Sequence, residues 1–278
     1  MPQPDLNHIL LTKLIGPGAG LIQGDFLVRD RWLWLKERLP KTRNGERLLD
    51  VGCGSGAFTV CAALRGYHAL GLTWNEADTA KAAQRAALVK ASQAEFQICD
   101  VRELAAKEDL KSRFDFAICC ENIEHILDDR SLVESICACL KPGGRLLLTS
   151  PNYHYRPLDQ GDLGPFSPVE DGRHVRRGYS SGQLIDLFHG TGLLIEKIGY
   201  CGGFVSQKMT GFLRRFPGRS YLFAWTLTLP VRPFAPLLDA VIQKMIGYPP
   251  YMICVEVYKT RWSDRSPESH EAGKVKSG

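Results

Sequence analysis

The chain has 278 residues, a net charge of +5 and 44% hydrophobic residues, so it can bury a full core and we expect one domain with additions. Its basic residues form no long run, which argues against a nucleic-acid-binding function. Nine cysteines stand singly or as Cys119-Cys120 and Cys137-x-Cys139, with no paired C-x-x-C elements and no preceding signal peptide. We therefore expect reduced thiols in a cytoplasmic protein rather than a zinc site.

Residues 1–45 are predicted to form an N-terminal extension and a cap helix. The stretch 1–23 contains several prolines and glycines, a composition that favours irregular structure. In residues 24–39, apolar side chains recur near helical spacing with charges between them. These side chains are Phe26, Leu27, Trp32, Leu35 and Leu39. We predict a helix that packs on the core, and a cover over a cofactor is the alternative role.

Beyond residue 45 the sequence alternates strand and helix patterns. Predicted strands cover 46–51, 67–72, 95–99, 114–120 and 144–150, followed by 193–200 and 251–260. Predicted helices cover 56–66, 75–91 and 128–140, with a short one before residue 193. Such alternation indicates an α/β domain in which a mostly parallel, seven-stranded sheet is covered by helices on both faces.

The segment LLDVGCGSGAFT at 48–59 is the most informative motif. An apolar strand ends near Asp50, and Gly52, Gly54 and Gly56 follow at alternate positions. Glycine tolerates a positive φ and lets the backbone approach a ligand closely, as nucleotide-binding loops require. The spacing lacks the third glycine of the dinucleotide fingerprint G-x-G-x-x-G, which argues against NAD.

Four later segments extend this pattern. They are GLTWNEAD at 71–78, QICDVREL at 97–104, FDFAICCENIEHILDD at 114–129 and LKPGGRLLLTSPN at 140–152. In this order the five segments resemble the motifs of class I S-adenosylmethionine (SAM) dependent methyltransferases. E-x-x-E-H and K-P-G-G are most similar to the ubiquinone-biosynthesis O-methyltransferase branch, over about residues 46–200. The resemblance implies a Rossmann-like methyltransferase domain over 46–260 and S-adenosyl-L-methionine as its cofactor.

The resemblance also implies the cofactor-binding residues, which stand where strands end. Asp50 would face the methionine amino group, near the backbone carbonyl of Cys120. Asp100 and the Val101 amide would bind adenine, and Trp74 would pack on the adenine face, with a core tryptophan as the competing interpretation. The full predicted set is Asp50, Gly52, Cys53, Gly54, Gly56, Thr73, Trp74, Asp100, Val101, Cys120 and Glu121.

Thr73 departs from the family pattern. Most relatives place an acidic residue there, which accepts hydrogen bonds from both ribose hydroxyls. Threonine offers a single hydroxyl, so ribose binding should be weaker or shared with Glu76 or Asp78, for which a helix-surface role is equally compatible. A G-x-T at this place also resembles the lipid-modifying cyclopropane synthases and tocopherol methyltransferases, which favours a lipid-like substrate.

Methyl transfer requires alignment of nucleophile, methyl and sulfur and, for a hydroxyl acceptor, removal of a proton. His125 in ENIEHI is the predicted base because imidazole titrates near neutral pH, and Glu124 and His174 complete the predicted catalytic set. The primary prediction includes no metal. In some relatives this region holds a divalent metal, for which Glu121, Glu124 and His125 are the alternative ligands. A purely structural role for the Glu-His pair is the competing interpretation.

The loop at 150–166 has the proline, glycine and aromatic content of a substrate lid. Its predicted substrate contacts are Tyr153, His154 and Tyr155, and Arg176 is predicted to reach into the same pocket. His154 is the weaker histidine candidate because lone loop histidines are commonly solvated.

Residues 202–250 separate the last two predicted strands, where relatives have a hairpin-length turn. This apolar and basic insertion is predicted to be helical, and its apolar run at 221–231 is shorter than the about 20 residues that a membrane span needs. We predict peripheral membrane contact through 208–245, with a pocket cap or a subunit contact as the alternative. Residues 261–278 are predicted to be a disordered tail.

Three functions are therefore open. The motifs and the insertion favour a SAM-dependent methyltransferase that acts on a small apolar or lipid-linked acceptor, most simply at a hydroxyl and at a membrane surface. Thr73 supports carbon methylation or cyclopropanation of a lipid as an alternative, although the further motifs of the cyclopropane synthases are absent. The third function is a non-catalytic SAM-fold module whose insertion binds a partner.

Overall fold

The computed structural model describes residues 25–158, 160–216 and 220–260. The predicted irregular stretch 1–23 and the predicted tail 261–278 lie outside these ranges. Within them, seven strands form one sheet. They are β1 (Arg47–Val51), β2 (His68–Thr73), β3 (Ala94–Ile98), β4 (Phe114–Cys120), β5 (Leu140–Pro151), β6 (Leu193–Cys201) and β7 (Met252–Lys259).

The strands lie in the order β3-β2-β1-β4-β5-β7-β6. β7 runs antiparallel to both β5 and β6, and the pairs among β1 to β5 are parallel. The predicted fold class is therefore confirmed. β5 begins at Leu140 rather than at residue 144, because Leu140 already pairs with Phe114 before a register shift in β4.

Helices cover both faces of the sheet and fill the insertion. They are α1 (Phe26–Arg38), α2 (Ala57–Ala63), α3 (Glu76–Leu88), α4 (Asp129–Cys139), α5 (Ser181–Phe188), α6 (Phe204–Arg214), α7 (Ser220–Leu227) and α8 (Ala235–Ile246). Short 3-10 turns occupy Val101–Ala106, Glu108–Leu110, Ile123–His125 and Gln160–Leu163. Capping side chains determine where several helices begin. Asn75 accepts a hydrogen bond from the Asp78 amide at 2.7 Å, and Ser180 with Gln183 forms a capping box.

The core has a layer on each face of the sheet because successive strand residues point in opposite directions. In β1, Leu49 belongs to the cluster on one face and Leu48 to the cluster on the other. In β5, Leu146 belongs to the same cluster as Leu49, and Leu147 belongs to the same cluster as Leu48. Apolar residues on both faces explain why these strands read as continuous hydrophobic runs.

The insertion packs on α1 rather than standing alone. Phe26 of α1 shares a buried cluster with Leu213 and Trp225 of the inserted helices. Asp25, the N-cap of α1, accepts a hydrogen bond from Thr210 Oγ1 at 2.7 Å, and Asp239 of α8 accepts from the Val205 amide at 2.5 Å. Among the described residues, no helix combines the length and apolar character needed to cross a membrane.

Asp30 of α1 provides a test of this packing. Burial raises the pKa of Asp30 from 3.8 to about 7, and the nearby charge of Asp239 adds to the effect. Between these pKa values the folded protein holds a proton that the unfolded chain releases, so Asp30 lowers stability as pH rises through this window. Asp30→Asn should therefore stabilise the protein by about 1 to 3 kcal/mol at about pH 8 and by less at about pH 5.

Urea unfolding at the two pH values measures this difference. Asp186→Asn is the matched control, because Asp186 is exposed on α5 and the charge change is the same. An equal gain for Asp30→Asn at both pH values would contradict the raised pKa.

Candidate cofactor site and active site

A cavity opens at the carboxyl ends of the strands, the edge at which ligands bind in open parallel sheets. The loops after β1, β2, β3 and β4 form its walls, and the later segment 164–180, which we call the capping loop, closes one side. The lining residues are Gly52, Gly54, Thr73, Trp74, Asp78, Asp100, Val101, Arg102, Glu121, Asn122, His125, Ile126, Glu170 and Gly172.

The glycine loop forms the tight turn from β1 into α2. Gly52, Gly54 and Gly56 all have positive φ, at 78°, 49° and 75°. A Cβ on Gly52 would lie 2.4 Å from Asn122 Cγ, and one on Gly56 would lie 2.6 Å from Ala82 Cβ. A Cβ on Gly54 would meet nothing within 4 Å. The outer two glycines are therefore required by packing, whereas Gly54 leaves open space in the cavity for a ligand.

Four predicted cofactor residues lie behind this lining, and they are Asp50, Cys53, Gly56 and Cys120. Asp50 is buried and accepts a 2.6 Å hydrogen bond from Thr59 Oγ1 on α2, while burial raises the pKa of Asp50 to about 7. Burial also raises the pKa of the Cys53 thiol, whose backbone amide pairs with the Leu72 carbonyl. The side chain of Asp50 therefore fastens the glycine loop to the helix that follows it.

The wall after β2 carries the predicted nucleoside contacts. Trp74 is 67% exposed and lines the cavity, which excludes a core tryptophan. Thr73 is buried beneath it. Glu76 and Asp78 are the two acidic residues predicted to share ribose binding with Thr73. Asp78 lines the cavity, and its carboxylate is oriented by Asn75 Nδ2 at 2.8 Å. Glu76 is exposed and outside the lining.

Asp100 is held in place by Arg102 at the end of β3. Arg102 Nε lies 2.9 Å from both carboxylate oxygens, and the Arg102 amide donates to Oδ1 at 3.0 Å. The side-chain hydrogen bonds from Arg102 lower the pKa of Asp100. Asp100 is thus an oriented, ionised acceptor at the cavity wall, and Val101 stands beside it.

Two carboxyl groups follow β4, the half-buried Glu121 and the buried Glu124. Glu121 has a left-handed φ of 49°, an uncommon conformation for a residue other than glycine, and burial raises the pKa of its side chain. Glu124 is fully buried, with one oxygen 3.1 Å from Ser150 Oγ, and burial and the charge of Glu121 raise its pKa well above the ordinary value. Strained backbone of this kind concentrates at functional sites.

The structure brings the three predicted catalytic residues together. The rings of His125 and His174 meet edge to face with centroids 4.6 Å apart. Glu124, His125 and His174 each offer one ligand atom, and these atoms lie within 4.8 Å of one another. Burial is the main cause that lowers the pKa of His174, and the nearby charge of His125 lowers it further. The sequence offered Glu121, Glu124 and His125 as alternative metal ligands. In the structure, His174 takes the place of Glu121 in this group.

This group contains two buried polar atoms that make no hydrogen bond within the described part of the chain, Glu124 Oε1 and His125 Nδ1. Buried polar atoms of this kind call for a partner, which a bound ligand can supply. A divalent cation fits them, since two imidazoles and a carboxylate form a ligand set typical of zinc. A hydroxyl group of an acceptor fits them equally well.

Arg31 is a charged residue behind the cavity lining that the sequence analysis did not single out. It lies on α1, where its Nε is buried without a hydrogen bond among the described residues, and its guanidinium is near the charge of Glu121. One signal was present in the sequence. Arg31 stands four residues after Leu27 and four before Leu35, both of which are buried, so it shares the face of α1 that points inward.

Other predicted contacts lie elsewhere. Tyr155 is buried in the core against Tyr251, with ring centroids 4.8 Å apart, whereas Tyr153 and His154 are exposed. Arg176 forms an ion pair with Asp129 instead of reaching into the cavity. The cavity also includes Arg102, Asn122 and Ile126, which lie within the quoted motifs but were given no role, and Glu170 and Gly172, which lie outside them.

Comparison with known proteins identifies the family. A family model described as "Methyltransferase domain" matches residues 28–198, and the chain belongs to this family. The prediction of a SAM-dependent methyltransferase is confirmed at the level of this family.

Two curated relatives are ubiquinone biosynthesis O-methyltransferases. The one from Pseudomonas putida is 34% identical over 119 residues, which is 43% of this chain and 49% of the relative. The one from Marinobacter nauticus is 32% identical over 108 residues, 39% of this chain and 45% of the relative. The chain thus matches about half the length of these relatives.

Solved structures share the fold. Phosphoethanolamine N-methyltransferase 2 of Haemonchus contortus, in complex with SAM, has a TM-score of 0.59 at 18% identity, over 91% of this chain and 59% of that one. Geranyl diphosphate C-methyltransferase of Streptomyces coelicolor has a TM-score of 0.54 at 14% identity, over 83% and 75%. These likenesses show the fold alone.

Gly54→Trp tests the location of the cofactor. Because Gly54 borders the open space of the cavity, an indole there should abolish SAM binding in calorimetry while the protein stays folded. Gly182→Trp is the control, since Gly182 is exposed on α5 and a Cβ there would meet nothing within 4 Å. Normal SAM binding by a folded Gly54→Trp protein would place the cofactor elsewhere.

Proposed function

We propose that the protein transfers the methyl group of SAM to a hydroxyl of a small apolar or lipid-linked acceptor. The observation that carries this proposal is the position of His125, which lines the cavity beside His174 and Glu124. The Nδ1 atom of His125 makes no hydrogen bond to any described residue. The names of the curated relatives support oxygen as the methylated atom.

The proposed cofactor pose follows the cavity wall from one end to the other. Adenine lies against Trp74 with its amino group toward Asp100, and the ribose hydroxyls reach Asp78. The methionine end passes over Gly54. Its carboxylate approaches Arg31, whose Nε donates no hydrogen bond to any residue that the structure describes.

In this pose the sulfonium lies near the end of β4, and the acceptor enters on the side of His125. A neutral imidazole accepts the hydroxyl proton as the oxygen attacks the methyl group in line with sulfur. Burial and the nearby His125 lower the pKa of His174, which favours the uncharged form of that ring. An uncharged neighbour adds no repulsion when His125 takes up the proton.

A divalent cation is compatible with the same residues. Glu124, His125 and His174 would hold it, with Glu124 Oε1 and His125 Nδ1 as the atoms that need a partner. Such an ion would acidify an acceptor hydroxyl. Without the ion, the two histidines orient and deprotonate the acceptor directly.

His125→Ala tests the proposed base. Turnover, measured as label transferred from methyl-labelled SAM to a total lipid extract, should fall by about 10²- to 10⁴-fold, the usual contribution of a general base. SAM affinity should stay nearly unchanged. The mass and fragmentation of the labelled product identify the methylated atom, so carbon methylation would be recognised directly.

His189→Ala is the control because His189 is exposed at the end of α5. Unchanged turnover in His125→Ala would remove His125 as the base. Label that appears only in an aqueous metabolite extract would contradict a lipid-linked acceptor. SAM binding without turnover on either extract would instead support the non-catalytic alternative.

We also propose that the inserted helices contact an anionic membrane. α8 packs inward through Ala235 and Asp239, while its opposite side is apolar and exposed. The exposed residues of that side are Leu237 at 65%, Val241 at 47%, Met245 at 76% and Ile246 at 64%. Exposed basic residues occur on the same helices, at Lys208, Arg214, Arg215 and Lys244. This combination is typical of interfacial helices.

Val241→Glu with Met245→Glu should reduce binding to phosphatidylglycerol-containing vesicles at least about tenfold, because two apolar side chains no longer enter the bilayer. Vesicle co-sedimentation measures the loss. Ile185→Glu is the matched control, since Ile185 is a 44% exposed apolar residue on α5. Dimerisation of the wild-type protein in sedimentation, lost in the double variant without any vesicle binding, would assign this side to a subunit contact.

A further inference from the structure

Glu170 in the capping loop joins two parts of the site that are distant in sequence. Its Oε2 accepts a hydrogen bond from Arg102 Nη1 at 2.8 Å, across 68 residues. Its Oε1 accepts from the Leu127 amide at 2.5 Å, across 43 residues. One carboxylate therefore ties the loop both to the wall after β3 and to the segment that follows His125.

The base of the capping loop is closed by backbone hydrogen bonds. The Ser167 amide donates to the His174 carbonyl at 2.8 Å, and the Val175 amide donates to the Glu124 carbonyl at 3.0 Å. Glu170 and Gly172 lie between these points and line the cavity. Glu170 thus anchors the part of the loop that faces the ligand, whereas the backbone bonds anchor the part that carries His174.

Arg102 connects Glu170 to Asp100, the proposed adenine acceptor. Arg102 uses Nη1 for Glu170 and Nε for both oxygens of Asp100. The side chain of Glu170 is 18% exposed and that of Arg102 is 46% exposed, so water still screens the pair. Charged hydrogen bonds at such half-exposed positions hold a loop closed while allowing it to open.

We propose that Glu170 is a positioning residue for SAM, which fastens the capping loop over the nucleoside end of the cofactor through Arg102 and Leu127 and so slows the departure of SAM and of the product S-adenosylhomocysteine. This inference rests on the proposed placement of SAM in the cavity. Opening requires the ion pair between Glu170 and Arg102 to break, whereas Arg102 keeps its hydrogen bonds to Asp100. Release of the product is then controlled by a residue that touches no reacting atom.

The same loop offers a matched control. Asp171 forms an ion pair with Arg173 at 2.6 Å, next to Glu170 in sequence. The hydrogen bonds of this pair stay within residues 167–173 and reach no wall of the cavity. Asp171→Asn removes the same charge from the same loop without touching the proposed anchor.

The test measures dissociation rates of S-adenosylhomocysteine by stopped flow at low and high salt. Glu170→Gln keeps an oxygen for the Leu127 amide but loses the charge. It should raise the dissociation rate by about 5- to 20-fold, because a loop that has lost one charged hydrogen bond opens more often. The wild-type rate should rise with salt, and the rate of Glu170→Gln should respond less. Asp171→Asn should match the wild type in both respects.

A double-mutant cycle separates anchoring from a general loss of structure. Arg102→Met alone and together with Glu170→Gln should give non-additive changes in the dissociation rate, because both remove the same contact.

Equal dissociation rates for Glu170→Gln, Asp171→Asn and the wild type would overturn the proposal. If Gly54→Trp still bound SAM normally, the placement of SAM would fail instead, and the two failures are therefore distinguishable.

Discussion

The turn from β1 into α2 is the constraint on which the site depends. Gly52 packs against Asn122 and Gly56 against Ala82, at distances that leave no room for a Cβ. Their left-handed backbone brings the start of α2 back to the edge of the sheet, and the Asp50 to Thr59 hydrogen bond fixes it there. This turn places Gly54 in open space, with the ends of the neighbouring strands around it.

Buried charge gives the site its chemistry. Asp50, Glu121 and Glu124 are carboxyl groups whose pKa values burial raises, and Arg31 brings a cation toward the same region from α1. Burying such groups is costly unless they are paired, so a ligand that supplies partners is bound with a favourable electrostatic contribution. A sulfonium with its own amino and carboxylate groups matches this arrangement of charges.

Local patterns in the sequence predicted the elements and most of the strand-end residues. β4 has the predicted bounds, and β1 begins one residue later than predicted, because apolar runs bounded by glycine or polar residues specify buried strands. The contributions that come from distant segments could not be predicted in this way. Glu170 reaches the cavity from a loop. The spacing of Arg31 places it on the inward face of α1 but does not indicate which group it meets there. The exchange of Glu121 for His174 beside Glu124 likewise depends on how the capping loop folds back.

A crystal structure of the complex with S-adenosylhomocysteine tests the central claim, the orientation of the cofactor, most directly. The account predicts adenine between Trp74 and Asp100, the carboxylate at Arg31 and the sulfur facing His125. A sulfur atom directed away from His125, or a nucleoside bound outside the cavity, would contradict it.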